Sequence, residues 1–311
     1  MSPLVERTMD AQRTLRRAIS CVGIGLHSGN KVQLSLKPAQ ADFGIRFRRT
    51  DVGDQEVRAS VQHLAGINLA TALSSNQVSV ETVEHLLAAL VSMRIDNVLI
   101  ELNSPEVPIM DGSSAPFIYL IQEAGVKTLN ASRKYLKITS PISLSRGDKR
   151  IALYPSDHFK VTYSISYDHP LLRHQARTLT ITEESFIEEI APARTFTFLK
   201  DVEMLRQNGL ALGGSLDNAI VLGETGVLNN ALRFDDEFVR HKILDAIGDL
   251  ALVGHPVIGH LVAHRAGHGL HTEFAGKILE ATDCWTLVEG PLPAVDPSAV
   301  GAAEAVHSIA Q

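Results

Sequence analysis

The chain has 311 residues, 45% hydrophobic and 21% charged, a length and balance that fit two ordinary globular domains better than one. A net charge of −6 with no run of like charges argues against a general nucleic-acid surface, while leaving room for a local pocket for one diphosphate. Two cysteines, Cys21 and Cys284, can build neither a disulfide framework nor a cysteine-rich zinc finger, and they fit a reducing compartment.

In chain order, Met1 to Arg17 is rich in charge and has no apolar stretch of the secretory kind, so a cytoplasmic protein is expected. Leu15 to Leu36 reads as strands around a glycine-punctuated turn, with Val32, Leu34 and Leu36 alternating with polar neighbours. Phe43 to Phe47 is a further strand candidate, and His63 to Asn76 reads as irregular. Thr82 opens a helix that is apolar nearly all round to Val91, followed by a strand at Asn97 to Leu102, a turn-rich stretch and a helix at Ala115 to Ala124. Polar Lys127 to Lys134 is the linker candidate, dividing an N-terminal unit (1–130) from a C-terminal one (131–290).

Strands are then expected at Leu136 to Leu144, Ile151 to Tyr154, Val161 to Tyr167 and Thr178 to Ile181, and helices at Glu183 to Glu189 and Leu199 to Gln207. A strong helix spans Phe238 to Val253, and Gly259 to Ala263 returns as a strand. Asp249, His255, Pro256 and His260 make Ala246 to His264 a poor membrane span. The proline-rich stretch 291–311 reads as a loosely ordered tail. Strands followed by helices in each unit give an α+β class, two domains each packing helices on a sheet.

Three segments carry chemistry. On a helix, His241, Asp245 and Asp249 fall four residues apart on one face between apolar neighbours. Such a stripe is either a polar edge in water or a set of ligands for a divalent metal, since imidazole and carboxylate suit zinc. Glu84-His85 sits inside an apolar helix, either as a satisfied core pair or as a working carboxylate beside a metal ligand. His260, His264, His268 and His271 form a third group, in which glycine-flanked His268, in the turn-like stretch Arg265-Ala266-Gly267-His268-Gly269, is the one suited to meet a developing charge, the rest reading as surface or packing residues.

Taken together, these segments resemble one family. Gly23-Ile24-Gly25-Leu26-His27-Ser28-Gly29, Thr82-Val83-Glu84-His85-Leu86, Ile95-Asp96-Asn97, Pro108-Ile109-Met110-Asp111-Gly112-Ser113, Arg194-Thr195-Phe196, Gly213-Gly214-Ser215-Leu216-Asp217-Asn218, His241-Lys242-Ile243-Leu244-Asp245 and Gly267-His268 occur in the order seen in UDP-3-O-acyl-N-acetylglucosamine deacetylases, the zinc amidases of lipid A biosynthesis. The resemblance implies two α+β domains with the active site between them. It implies one catalytic zinc ion held by His85, His241 and Asp245, and Glu84 as the base that activates water. By the same resemblance His268, held by Asp249, assists the intermediate and the leaving amine, and Thr195 binds the oxyanion. Lys242 would contact the substrate head group and Tyr167 would support the uracil. Phe196 and Phe198, with Leu205 to Ser215 and so Gly213 and Ser215, would line an acyl-chain passage.

The implied substrate is an acylated UDP-N-acetylglucosamine, with no nucleic-acid partner, a monomeric state and peripheral contact with the inner membrane. A zinc amidase for another N-acetyl sugar and a binding protein with a structural zinc are the rival readings. The second is disfavoured because structural sites are closed by four ligands, commonly cysteine.

Overall fold

In the computed structural model of the chain, residues 10–67, 70–229 and 231–290 are described. They form an α+β architecture in which helices are layered between two principal sheets. The first sheet orders its strands Ile19–Ile24, Lys31–Pro38, Val98–Leu102, Ile45–Arg49 and Gln55–Arg58, all neighbours antiparallel except the parallel pair Ile45–Arg49 with Val98–Leu102. Val32, Leu34 and Leu36 are fully buried, the outcome that their alternation requires when one face of the sheet meets the core.

The second sheet is built around strand Val257–His264, which pairs parallel to Lys134–Ile138 and Phe159–Ile165 and antiparallel to Lys149–Tyr154. Its burial on alternate residues from Leu261 onward turns His260 and His264 away from the core, each against a hydroxyl of the neighbouring strand (Thr162 and Ser164).

Helix α1 (Glu84–Ser92) and helix α2 (Ala115–Ala124) pack together, with α2 against strand Ile19–Ile24. A short helix α3 (Glu183–Ser185) runs into a π-helical turn, and α4 (Leu199–Gln207) lies at the surface. Helices α5 (Glu237–Leu250) and α6 (His268–Glu280) pack on each other and on the second sheet. The most extensive helix pairing among the described residues is α1 on α5. It is made possible by Gly248, where a Cβ would stand 2.1 Å from the Glu84 carbonyl oxygen.

Three expectations are corrected. The His63 to Asn76 stretch contains two strands of a meander, Leu64–Ile67 and Thr71–Ser75, the second continuing to Val78–Val80. Their short lengths and interrupting residues hide the alternation. Lys127 to Lys134 is not a bare linker: Val126–Ser132 pairs antiparallel with Ala11–Leu15 in a two-stranded ribbon whose exposure explains its polar composition. Gly267 to Gly269 is not a free turn but the start of α6, whose Leu270, Phe274, Ala275 and Ile278 are buried at helical spacing. Tertiary burial there overrides the low helix propensity of Gly269 in the first turn, Gly267 standing at the N-cap. Of the expected tail, residues 291–311 lie outside the described residues.

The α1/α5 contact yields a stability prediction. Gly248→Ala forces a methyl into the Glu84 backbone and is expected to destabilise the fold by about 1–3 kcal/mol. Gly66→Ala, with open space around the added Cβ, stays within about 0.5 kcal/mol of wild type in urea denaturation.

Candidate metal and amidase site

The backbone ahead of α1 sets the site's first pair. Thr82 adopts φ 57°, an uncommon left-handed conformation for a β-branched residue, and its hydroxyl donates to Glu106 Oε1 at 3.2 Å. The chain then enters α1 with Glu84 and His85 in its first turn, 3% and 4% exposed. From α5 the His241, Asp245 and Asp249 stripe faces them, each residue at most 2% exposed. The polar-edge reading is thereby excluded, because the whole stripe lies in the interior.

His85, His241 and Asp245 bring one ligand atom each within 4.8 Å of one another. His241 Nε2 stands 3.2 Å and His85 Nε2 3.6 Å from Asp245 Oδ1. His241 Nδ1 lies 3.1 Å from the Ala193 carbonyl, which can only accept, so Nδ1 carries the proton and the Nε2 lone pair points at the carboxylate. Asp245 Oδ2 is taken by Lys242 Nζ at 2.6 Å, while buried Oδ1 has no hydrogen bond. Lone pairs of nitrogen and oxygen converging on one buried point call for a cation. Two imidazoles and a carboxylate are the donor set of an open divalent site, and the Ala193 carbonyl supplies the outer support such a ligand needs.

The second group surrounds Asp249. Its Oδ1 accepts from the Thr71 hydroxyl at 2.5 Å, and its Oδ2 faces His268 Nδ1 at 2.8 Å and His271 Nδ1 at 2.9 Å. His268 Nε2 points back to the first group, 3.8 Å from Glu84 Oε1 and 3.7 Å from Asp245 Oδ2. Glu84 Oε2 accepts from the Thr71 backbone N–H at 3.1 Å.

Burial raises the Glu84 pKa, against the pull of His268 and His85. Burial would also lift Asp249, but His268 and the hydrogen bonds from both histidines hold it at about 2. Burial opposes the charge on His268 as well, yet Asp249, Asp245 and Glu84 together push it up to about 9. Burial would lift Asp245 as well, but the Lys242 and His268 cations hold it well below the carboxylate range. The result is a carboxylate of raised basicity beside a charged imidazole, next to a triad of side chains that could hold a metal ion.

Thr195 is held at the rim by its backbone: its N–H donates to the Gly112 carbonyl at 2.8 Å, and its own carbonyl accepts from Ile220 at 2.8 Å. The preceding Arg194 is clamped by Glu237, with Nε–Oε1 at 2.8 Å. The Phe196 ring lies 6.3 Å from the His241 ring, and Tyr167 meets Phe196 and Phe198 at 6.0 and 5.9 Å, which makes one aromatic wall. Gly213 and Ser215 lie farther out. Gly213 packs on Gly25, where a Cβ would meet the Gly25 carbonyl at 2.2 Å, and Ser215 N–H donates to Asn218. Lys242 turns to Asp245 here.

Thr71, His271 and Tyr163 were not singled out from the sequence. Thr71 sits in the stretch read as irregular. The spacing of three between His268 and His271 was the available signal for His271, and it was masked by the unrecognised helix.

A sequence profile described as UDP-3-O-acyl N-acetylglycosamine deacetylase matches residues 12–280. Among curated relatives, the UDP-3-O-acyl-N-acetylglucosamine deacetylase of Syntrophotalea carbinolica is 50% identical over 281 residues, covering 89% of this chain and 91% of that protein. The proteins of the same name from Pseudomonas entomophila (47% identical, 90% of this chain and 94% of that one) and Citrifermentans bemidjiense (46%, 89% and 92%) match over a similar span. With a profile match across most of its length and relatives of this similarity, the chain belongs to the UDP-3-O-acyl N-acetylglycosamine deacetylase family.

Proposed function

We propose that the chain hydrolyses the N-acetyl group of a UDP-3-O-acyl-N-acetylglucosamine, releasing acetate and leaving the free amine with its ester-linked acyl chain intact, as a step of lipid A biosynthesis. The observation that carries this reading is the junction of the His85/His241/Asp245 triad with Glu84 and His268 in one buried cluster, in a chain about half identical to deacetylases of that name.

His85, His241 and Asp245 would hold one zinc ion, a divalent ion that this donor set suits, as it also suits ferrous iron or cobalt. When bound, the ion supplies Lewis acidity, polarising an amide carbonyl and acidifying water. Glu84, anchored at Oε2 by the Thr71 N–H, accepts the proton of the attacking water. His268, charged and aimed by Asp249, faces the negative charge as it develops and gives a proton to the departing nitrogen. Thr195 is the assigned oxyanion partner, and Lys242 the head-group contact once substrate competes for it. The C–N bond breaks as nitrogen gains its proton, and water's oxygen leaves in acetate.

Phe196, Phe198 and Tyr167 form one wall, which favours placing Tyr167 along the acyl passage rather than under the uracil. Gly213 and Ser215 would shape the outer part of that passage. Units 1–130 and 131–290 are proposed as the two domains, meeting at the α1/α5 contact. A cytoplasmic monomer touching the inner membrane completes the proposal. Among the described residues no helix is long and apolar enough to cross a membrane.

Three outcomes are expected. Glu84→Gln keeps its metal but loses about 10²- to 10⁴-fold in kcat; near-normal turnover in that variant would remove Glu84 as the base. Asp245→Ala loses bound metal and activity together, measured by elemental analysis beside turnover, and a metal-replete active variant would break the ligand assignment. Burying acyl chain contributes ~0.8 kcal/mol per methylene, so acylated substrate should exceed the unacylated sugar nucleotide in kcat/KM by far more than tenfold. Equal turnover on both would move the assignment to another N-acetyl sugar.

A further inference from the structure

His271 is fully buried, on the same face of α6 as His268 and one turn further along. Neither of its ring nitrogens is idle. Nδ1 stands 2.9 Å from Asp249 Oδ2, the oxygen that also receives His268 Nδ1. Asp249 is a carboxylate and accepts only, so the Nδ1 proton belongs to His271. Nε2 stands 2.8 Å from the hydroxyl of Tyr163, itself fully buried on strand Phe159–Ile165. That hydroxyl is also 2.7 Å from the Ala266 carbonyl, just before α6 begins. The single hydroxyl proton of Tyr163 is shared between these two acceptors, so Tyr163 stands on the sheet between the His271 ring and the entry to α6. The two rings cross edge to face at 5.8 Å.

Burial alone requires a partner at each nitrogen, so the functional weight lies in which oxygen Nδ1 engages: the one that also holds His268. Without His271, Asp249 Oδ2 would keep one donor instead of two, and the carboxylate would be free to turn about the Thr71 bond at Oδ1. Any such turn carries the His268 ring with it, because His268 Nδ1 is tied to that same Oδ2. The far nitrogen of His268 is the one that faces Glu84.

We propose that His271, braced by Tyr163, is a positioning residue that fixes the Asp249 carboxylate and through it the orientation of His268. It touches no substrate, and the proposal rests on the amidase reading above. Outer-sphere groups of this kind typically govern about 10- to 100-fold in activity.

The test compares two replacements in the full chain with acylated UDP-N-acetylglucosamine as substrate. His271→Leu removes the donor at similar bulk, while His271→Asn places an amide N–H where Nδ1–H was. The Leu variant should lose about 10- to 100-fold in kcat at unchanged KM and metal content, and the Asn variant should recover most of that loss. Tyr163→Phe, which drops a single hydroxyl, should lower kcat several-fold at unchanged KM, and it serves if the Leu variant does not fold. Wild-type kcat in a folded His271→Leu or in Tyr163→Phe would overturn the proposal, as would equal losses in Leu and Asn. A wild type with no deacetylase turnover would instead overturn the amidase reading and the proposal with it.

Discussion

The contact between the first turn of α1 and Gly248 of α5 is the constraint on which the site depends. The two helices come from distant parts of the chain, and their catalytic side chains are short. Glu84 and His85 reach the α5 stripe only because α5 presents no side chain where the Glu84 backbone lies against it. Ridge-into-groove packing of ordinary side chains holds helix axes 8–10 Å apart. A glycine at the crossing lets the backbones meet, so that His85 and His241 face each other with ring centroids 4.9 Å apart.

Such closeness concentrates charge. Glu84, Asp245 and Asp249 are all buried within one cluster, an arrangement that would repel itself without compensation. His268 stands among all three, Lys242 takes one oxygen of Asp245, and the remaining Asp245 oxygen is left for a cation. Asp249 is the most fully satisfied of the three, with hydrogen bonds from Thr71, His268 and His271. The strongest polar network therefore lies behind His268 rather than at the reacting centre. That is where rigidity is useful: the backing group is fixed, and the triad keeps its open electron pairs.

Much of this was legible in the sequence because helical spacing is local. His241, Asp245 and Asp249 had to share a face once the helix was recognised, and Glu84-His85 in an apolar helix had to be buried. Geometry across segments was not legible. Whether the stripe is a polar edge or a ligand set depends on whether α5 faces water, and only the packing of α1 decides that. Thr71 was hidden because a three-stranded meander of short strands carries little alternation. The first turn of α6 was hidden because Gly267 and Gly269 argue locally for a turn, while burial of Leu270 and Phe274 argues for a helix from a distance. His271 is read with the surface or packing histidines for the same reason. The resemblance to a family supplied roles that spacing alone could not assign, and the same spacing still left water-facing and metal-binding readings open.

The proposed chemistry requires α1 and α5 to present a single metal site between them. An anomalous difference map at the zinc edge, from crystals of the protein loaded with one equivalent of zinc, tests it most directly. The expected result is one peak bounded by His85, His241 and Asp245, with His268 still directed at Asp249. A peak at Asp249, His268 and His271, the other cluster among the described residues able to gather three ligand atoms, would contradict the assignment and the separation of roles built on it.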